Sequence, residues 1–308
     1  MKKVFIDGGA GTTGLRIVER LQNRKDIELI TLPDDKRKVL EYRKQALNNC
    51  DIAFLCLPDD ASREAVSLIE NDKVVVIDAS TAHRTNDDWA YGFPELSEEF
   101  EKKIINSNRI AVPGCYASGF ISLVEPLVKN GIINKDLGIM CHAVSGYSGA
   151  GKKGIAQYEN QNRDDEFSAP REYALTQQHK HLKEMKIISG LEKEPIFCPY
   201  VCDYYSGMVV TVPLFKSDIN GNAEDIKNVY KNLYKDGFVK YYDNIDNNGF
   251  IAGNLVSDKD NMMVTVAGND ERILLISAFN NLGKGASGAA VECMNIKLGV
   301  EKTTGLDI

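Results

Sequence analysis

The chain has 308 residues, 43% of them hydrophobic, which is enough to bury a real core and build two domains. A formal net charge of −7 sets a nucleic-acid groove aside as the main surface and leaves anionic substrates to a local cluster of basic groups. No apolar run approaches the roughly 20 residues that cross a bilayer, Met1-Lys2-Lys3 precedes too short an apolar stretch for a signal peptide, and seven scattered cysteines suit a reduced cytoplasm better than a disulfide framework.

Lys3-Val4-Phe5-Ile6 reads as a first buried strand, and glycines follow at once at 8, 11 and 14. From Leu15 to Leu21 the apolar residues recur as on a helix packed against a sheet. G-x-x-G-x-x-G between a strand and a helix suits a dinucleotide, because small residues let the backbone approach a pyrophosphate at a helix N-terminus. Gly8, Gly11, Thr12, Thr13 and Gly14 are therefore candidate cofactor-binding residues; a plain Gly-rich turn is the competing reading. Residues 27–32 form a second strand, which runs into Pro33-Asp34-Asp35-Lys36-Arg37-Lys38. The basic triplet suits a 2′-phosphate and points to NADP, although it also fits a solvated helix start.

Residues 51–58, a helical segment near 62–69 and the run 74–78 continue the alternation of strand and helix. That order predicts an α/β, Rossmann-type, doubly wound parallel sheet with ligands at the carboxyl ends of its strands. At one such end stands Ala79-Ser80-Thr81-Ala82-His83-Arg84. Small polar residues beside one guanidinium suit an anion, which makes Ser80 and Arg84 candidates. Trp89 to Glu95 adds an aromatic patch read as packing.

Arg109-Ile110-Ala111-Val112 reads as a short strand that Pro113-Gly114 stops, and the residues after Cys115 have the spacing of a buried helix. Cys115 thus falls at or just before a helix N-terminus, where unpaired amides and the helix dipole favour a thiolate and a neighbouring oxyanion. A buried structural cysteine is the bland alternative.

Residues 137–144 form a strand that enters the small-residue run 145–154. Such a backbone comes close to a flat ring or an anion; a mobile polar loop competes with that reading. The polar segment from about 157 to 171 reads as a surface excursion. His179 and His181 lie two apart, about 200° on a helix, so at a helix start only one of them faces Cys115, with His181 favoured. No third ligand supports a metal site, and Cys198 and Cys202 read as ordinary strand cysteines. The runs 208–215, 261–266 and 272–279, with a helix near 222–234, predict a second, α+β domain with a mixed sheet. A Gly-led, small-faced helix closes the chain at 280–295, suited to return beside the cofactor.

In order and spacing these pieces resemble the N-acetyl-γ-glutamyl-phosphate reductases in their shorter type 2 form over nearly the whole chain. The resemblance is carried by Phe5-Ile6-Asp7-Gly8 with Gly11-Thr12-Thr13-Gly14-Leu15, Cys56-Leu57-Pro58-Asp59-Asp60-Ala61-Ser62, Asp78-Ala79-Ser80-Thr81-Ala82-His83-Arg84 and Pro113-Gly114-Cys115-Tyr116. It continues in residues 143–149, in His179-Lys180-His181 and in residues 281–288. Ser118 is a mild departure from the family pattern, and Leu182-Lys183 before Glu184 is another.

The resemblance implies NADPH-dependent reduction of N-acetyl-glutamyl 5-phosphate to the 5-semialdehyde with release of phosphate, in arginine biosynthesis. It implies Cys115 as nucleophile, a histidine (His181 or His179) as acid-base, and Arg84 on the phosphoryl group. Ser145, Gly146, Gly283 and Lys284 then belong to the nicotinamide end of the pocket. A cytoplasmic homo-dimer or homo-tetramer with no nucleic-acid or membrane partner follows. The domain division expected is 1–115 with 284–308 for NADP and 116–283 for catalysis and assembly. The rival readings are a sister acyl-phosphate reductase such as an aspartate-semialdehyde dehydrogenase, a non-catalytic dinucleotide sensor, and a Cys-His acyl hydrolase.

Overall fold

The first apolar run becomes β1 (Lys2–Asp7) in the computed structural model, which describes residues 1–235 and 237–308. The chain continues through α1 (Thr12–Leu21), β2 (Ile27–Ile30), α2 (Leu40–Asn49), β3 (Ile52–Leu55), α3 (Asp59–Ser67), β4 (Val75–Asp78), β5 (Ala90–Tyr91), α4 (Glu98–Asn106) and β6 (Arg109–Ala111). The six strands lie in the order β2-β1-β3-β4-β6-β5, and the neighbouring pairs are parallel. A parallel sheet needs cover on both faces. On one side Val4, Ile17, Phe54 and Ile110 pack with Val291 and Met294 from the last helix of the chain. On the other, Phe5, Leu55 and Val76 pack with Leu47 of α2 and Ala65 of α3. Each of these side chains larger than alanine, fully withdrawn from water, contributes about 1.5–3 kcal/mol. These segments form one unit, Met1–Pro113 with Ala286–Leu306.

Gly8 follows β1 with φ +83°, and a Cβ there would lie 2.3 Å from the carbonyl oxygen of Cys56. Only glycine fits that backbone and that approach. The turn closes with Gly11 N–H on Gly8 O at 2.9 Å and leads directly into α1.

The second unit, Gly114–Gly285 with Asp307–Ile308, holds α5 (Cys115–Lys129), β7 (Met140–Gly146), α6 (Gly151–Tyr158), β8 (Arg171–Glu172), α7 (His181–Ser189), β9 (Ile196–Cys202), β10 (Met208–Phe215), α8 (Ala223–Leu233), β11 (Val239–Tyr241), β12 (Met262–Gly268) and β13 (Arg272–Phe279). A π-helical turn, Gly283–Ser287, then leads to α9 (Gly288–Leu298). The sheet order is β11-β12-β13-β10-β7-β9-β8. It mixes parallel pairs, such as β7 with β9, and antiparallel ones, such as β10 with β13, as an α+β domain requires. Residues 151–154, the end of the run read from sequence as close-approach backbone or a polar loop, instead open helix α6, and the stretch before them is pinned. Tyr147 N–H and Ser148 N–H donate to the carbonyls of Tyr204 and Tyr205, each at 2.9 Å.

Helix α5 is buried along nearly its whole length. It carries Pro126, which has no N–H for the carbonyl of Ser122 one turn back. The hydroxyl of Tyr234, just past α8, donates to that carbonyl at 2.8 Å, and Tyr230 donates to the carbonyl of Leu123. Gly119 lets α5 sit close on the sheet, since a Cβ there would meet Val210 at 2.5 Å.

Candidate active site

Pro113 and Gly114 end the extended run after β6, and Cys115 is the first residue of α5, half-buried, with Gly114 extended at the N-cap. The first amides of a helix lack intrahelical acceptors and carry its positive end, the environment that favours a sulfur anion. The turn is fixed from outside as well: Gly114 N–H donates to Oε1 of Glu184 at 2.8 Å, and Glu184 is only 2% exposed. A Cβ on Gly285 would lie 3.0 Å from the Cβ of Cys115, so the glycine at 285 leaves the cysteine side chain its room.

Next to Cys115 the ring of Tyr116 organises an aromatic group in the second unit. Its centroid lies 6.2 Å from His179, 6.0 Å from His181, 6.3 Å from Tyr173 and 5.2 Å from Phe197. The two imidazoles stand 4.8 Å apart. They do not diverge as two residues within one helix would, because α7 begins at His181 and His179 precedes it. The backbone N–H of His181 donates to Nδ1 of His179 at 3.2 Å. Since an N–H can only donate, His179 is in the Nε2–H tautomer. Burial, aided by the charge of Lys180, lowers its pKa to about 4, so the ring is neutral near pH 7. The phenols of Tyr116 and Tyr173 are both pushed above the ordinary tyrosine range, first by burial and also by the charge of Cys115.

In the first unit a pocket of about 520 Å³ opens beside the glycine turn, walled by Gly8, Gly9, Leu32, Arg37, Lys38 and Arg43. Gly11 is the N-cap of α1, and Thr12, Thr13 and Gly14 form its first turn. A left-handed glycine, closely approached backbone and a helix N-terminus suit a pyrophosphate, and Arg37 and Lys38 suit an added phosphate, so the residues fit a dinucleotide. Arg43 bridges Asp7 at 3.0 Å and Glu64 at 2.7 Å. Burial pushes the Asp7 carboxyl up against the opposing pull of Arg43.

The other candidates take more structural positions. The Ser80 hydroxyl donates to Asp78 at 2.7 Å and accepts from Ala82 N–H at 3.1 Å. Arg84 is buried, with Nε on the carbonyl of Val112 at 2.8 Å and Nη2 on that of Ala79 at 3.0 Å. Ser145 lies beside the Tyr116 phenol and donates to the carbonyl of Gly146. Gly146 packs against the backbone of Tyr204 and Tyr205, and Gly283 against Asp260. Lys284 is 1% exposed, its Nζ 4.8 Å above the centroid of Phe238. Glu184 and Arg43 went unnoticed in the sequence. The one available signal for Glu184 was its i,i+3 spacing from His181, which puts both on one face of α7. Among the described residues no group of three or more His, Cys, Asp or Glu side chains is arranged to hold a metal, and no helix is long and apolar enough to cross a membrane.

Comparison with known proteins matches residues 3–104 to the family described as "Semialdehyde dehydrogenase, NAD binding domain" and residues 115–281 to "Semialdehyde dehydrogenase, dimerisation domain". The N-acetyl-gamma-glutamyl-phosphate reductase 2 of a Nostoc species is 42% identical, covering 99% of each chain. The N-acetyl-gamma-glutamyl-phosphate reductase of Sinorhizobium medicae is also 42% identical, covering 96% of this chain and 98% of its own. Among solved structures, aspartate semialdehyde dehydrogenase II of Vibrio cholerae, complexed with ASA, superposes with a TM-score of 0.70 at 18% identity, over 97% of this chain and 98% of its own. Aspartate semialdehyde dehydrogenase of Candida albicans, with NADP, gives 0.64 at 15%, over 96% and 98%.

Proposed function

The chain belongs to the N-acetyl-gamma-glutamyl-phosphate reductase family, phosphorylating semialdehyde dehydrogenases of arginine biosynthesis, and on that premise we propose that Cys115 is the nucleophile of an NADPH-dependent reductive dephosphorylation. The observation that carries this reading is Cys115 opening α5 directly before Tyr116, whose ring neighbours both imidazoles. The sulfur attacks the acyl carbon of N-acetyl-glutamyl 5-phosphate, the bond to the phosphate oxygen breaks, and phosphate leaves with the electron pair. Gly8, Gly11, Thr12, Thr13 and Gly14 hold the dinucleotide, with Ser80, Ser145, Gly146, Gly283 and Lys284 assigned to shape the rest of its site. When bound, NADPH supplies the hydride that reduces the thioester carbonyl. The α5 amides and His181 stabilise the oxyanion, and the carbon–sulfur bond then breaks to give the aldehyde and the thiolate. His181 or His179 handles the proton. Arg84, buried at the carboxyl end of β4, grips the phosphoryl group.

Arg37 and Lys38 in the pocket wall support NADP over NAD. Seven cysteines, none of them in a disulfide among the described residues, suit a reducing cytoplasm. A homo-dimer or homo-tetramer is supported by an apolar face on the mixed sheet. There Ile196 pairs with Met140 and Pro213 with Leu274, and Ile196 is 58% exposed. One experiment tests the assignment: phosphate-dependent reduction of NADP+ and of NAD+ with N-acetyl-glutamate semialdehyde, set beside aspartate semialdehyde, for the parent and Cys115→Ser. Turnover is expected with the N-acetylated aldehyde and NADP+, falling by about a thousandfold or more in Cys115→Ser. Equal turnover in the variant would sink the nucleophile, and a preference for aspartate semialdehyde would sink the substrate.

A further inference from the structure

We propose that Asp78 and His83 are positioning residues that set the guanidinium of Arg84 for phosphate; the inference rests on the reading of Arg84 given above. Asp78 ends β4 and is completely buried. A carboxylate persists in such a place only where donors surround it. Those donors come from the turn that follows. Oδ1 accepts Ser80 N–H at 2.9 Å, and Oδ2 accepts the Ser80 hydroxyl at 2.7 Å and Nδ1 of His83 at 2.6 Å. An accepting carboxylate fixes the hydrogen of His83 on Nδ1. The imidazole is held flat against Trp89, with centroids 4.0 Å apart and planes 9° from parallel.

The bond from His83 is the tie that reaches the residue directly before Arg84. With it the turn closes on itself: Ser80 accepts Ala82 N–H, and Asp59 accepts the N–H and the hydroxyl of Thr81. Closure brings the carbonyl of Ala79 to Nη2 of Arg84, while Val112 is held through both its backbone groups. Its N–H donates to the carbonyl of Asp78 at 2.8 Å, and its own carbonyl receives Nε of Arg84. Two fixed carbonyls along one edge define the plane of the guanidinium. Phosphate recognition by parallel hydrogen bonds depends on that plane, so a turn that relaxes loses phosphate before it loses the other substrates.

The test is steady-state kinetics in the phosphorolytic direction, with inorganic phosphate, N-acetyl-glutamate semialdehyde and NADP+ varied in turn. His83→Phe keeps the ring and its stack but loses Nδ1, whereas His83→Asn keeps an N–H on the atom attached to Cγ. His83→Phe is expected to raise KM for phosphate about tenfold or more, the scale of a lost hydrogen bond to a charged group. KM for the aldehyde and for NADP+ stays within about twofold, and His83→Asn recovers most of the loss. Arg84→Lys runs beside them and raises KM for phosphate. If Arg84→Lys does so and folded His83→Phe does not, the positioning role is refuted while the reading of Arg84 stands. If Arg84→Lys leaves it unchanged, that reading fails and takes the proposal with it. Should His83→Phe fail to fold, Asp78→Asn carries the test: a selective rise for phosphate supports the proposal, and equal rises for all three substrates overturn it.

Discussion

Two histidines separated by one lysine share a tyrosine ring as neighbour, and burial shifts the titration of His179. His179 takes up a proton in the unfolded chain at about 6.5 but in the folded protein only near about 4. Between those values the unfolded state binds more protons, so this contribution to stability is present above pH 6.5 and is lost as pH falls towards 4. Thermal unfolding followed from pH 7 to 4 is expected to show a falling midpoint, and His179→Asn to flatten part of that fall. A variant as acid-sensitive as the parent would show that the proton goes elsewhere. Glu184 offers a second check. Glu184→Ala strands the buried N–H of Gly114, and kcat/KM is expected to drop tenfold to a hundredfold, with Glu184→Gln, which keeps an acceptor, recovering most of it. The Cys115 turn was legible in sequence because Pro-Gly and an apolar helix bracket it. Glu184 was not, since a buried acid on a helix has the same letters as a solvated one.

At the scale of elements, α5 is sound despite a proline near its end because α8 and the residue after it bring hydroxyls to its carbonyls. Tyr234→Phe removes one donor and leaves the carbonyl of Ser122 buried without it. Denaturant unfolding is expected to register a loss of about 1–3 kcal/mol, while no change would mean that another donor reaches that carbonyl. Pro126 in an apolar run signals an unfilled carbonyl, but nothing in the sequence says that residues more than a hundred positions later will fill it. The glycine turn was legible for the opposite reason: its constraints are local, between β1 and the start of α1. The start of helix α6 was hidden by its glycines, which carry poor helical propensity and made residues 151–154 look like open backbone.

For the molecule as a whole, the parallel and mixed sheets follow from the spacing of apolar runs, which is why the fold class could be read from the chain alone. Strand order could not, since it depends on pairings such as β10 between β7 and β13. The apolar face bearing Ile196 and Met140 makes a prediction at this scale. Ile196→Asp with Met140→Asp is expected to shift sedimentation towards the monomer, and an unchanged oligomer would place assembly on another surface.

The cover of the parallel sheet has a temporal meaning as well. Val291 and Met294 complete a core begun by Val4 and Ile17, so a ribosome must pass residue 294 before the core of the segment 1–113 can shut. Until then one greasy side of the nascent nucleotide fold lies open, and the α+β body, contiguous in synthesis apart from its last two residues, is ready to fold ahead of the segment that was made before it.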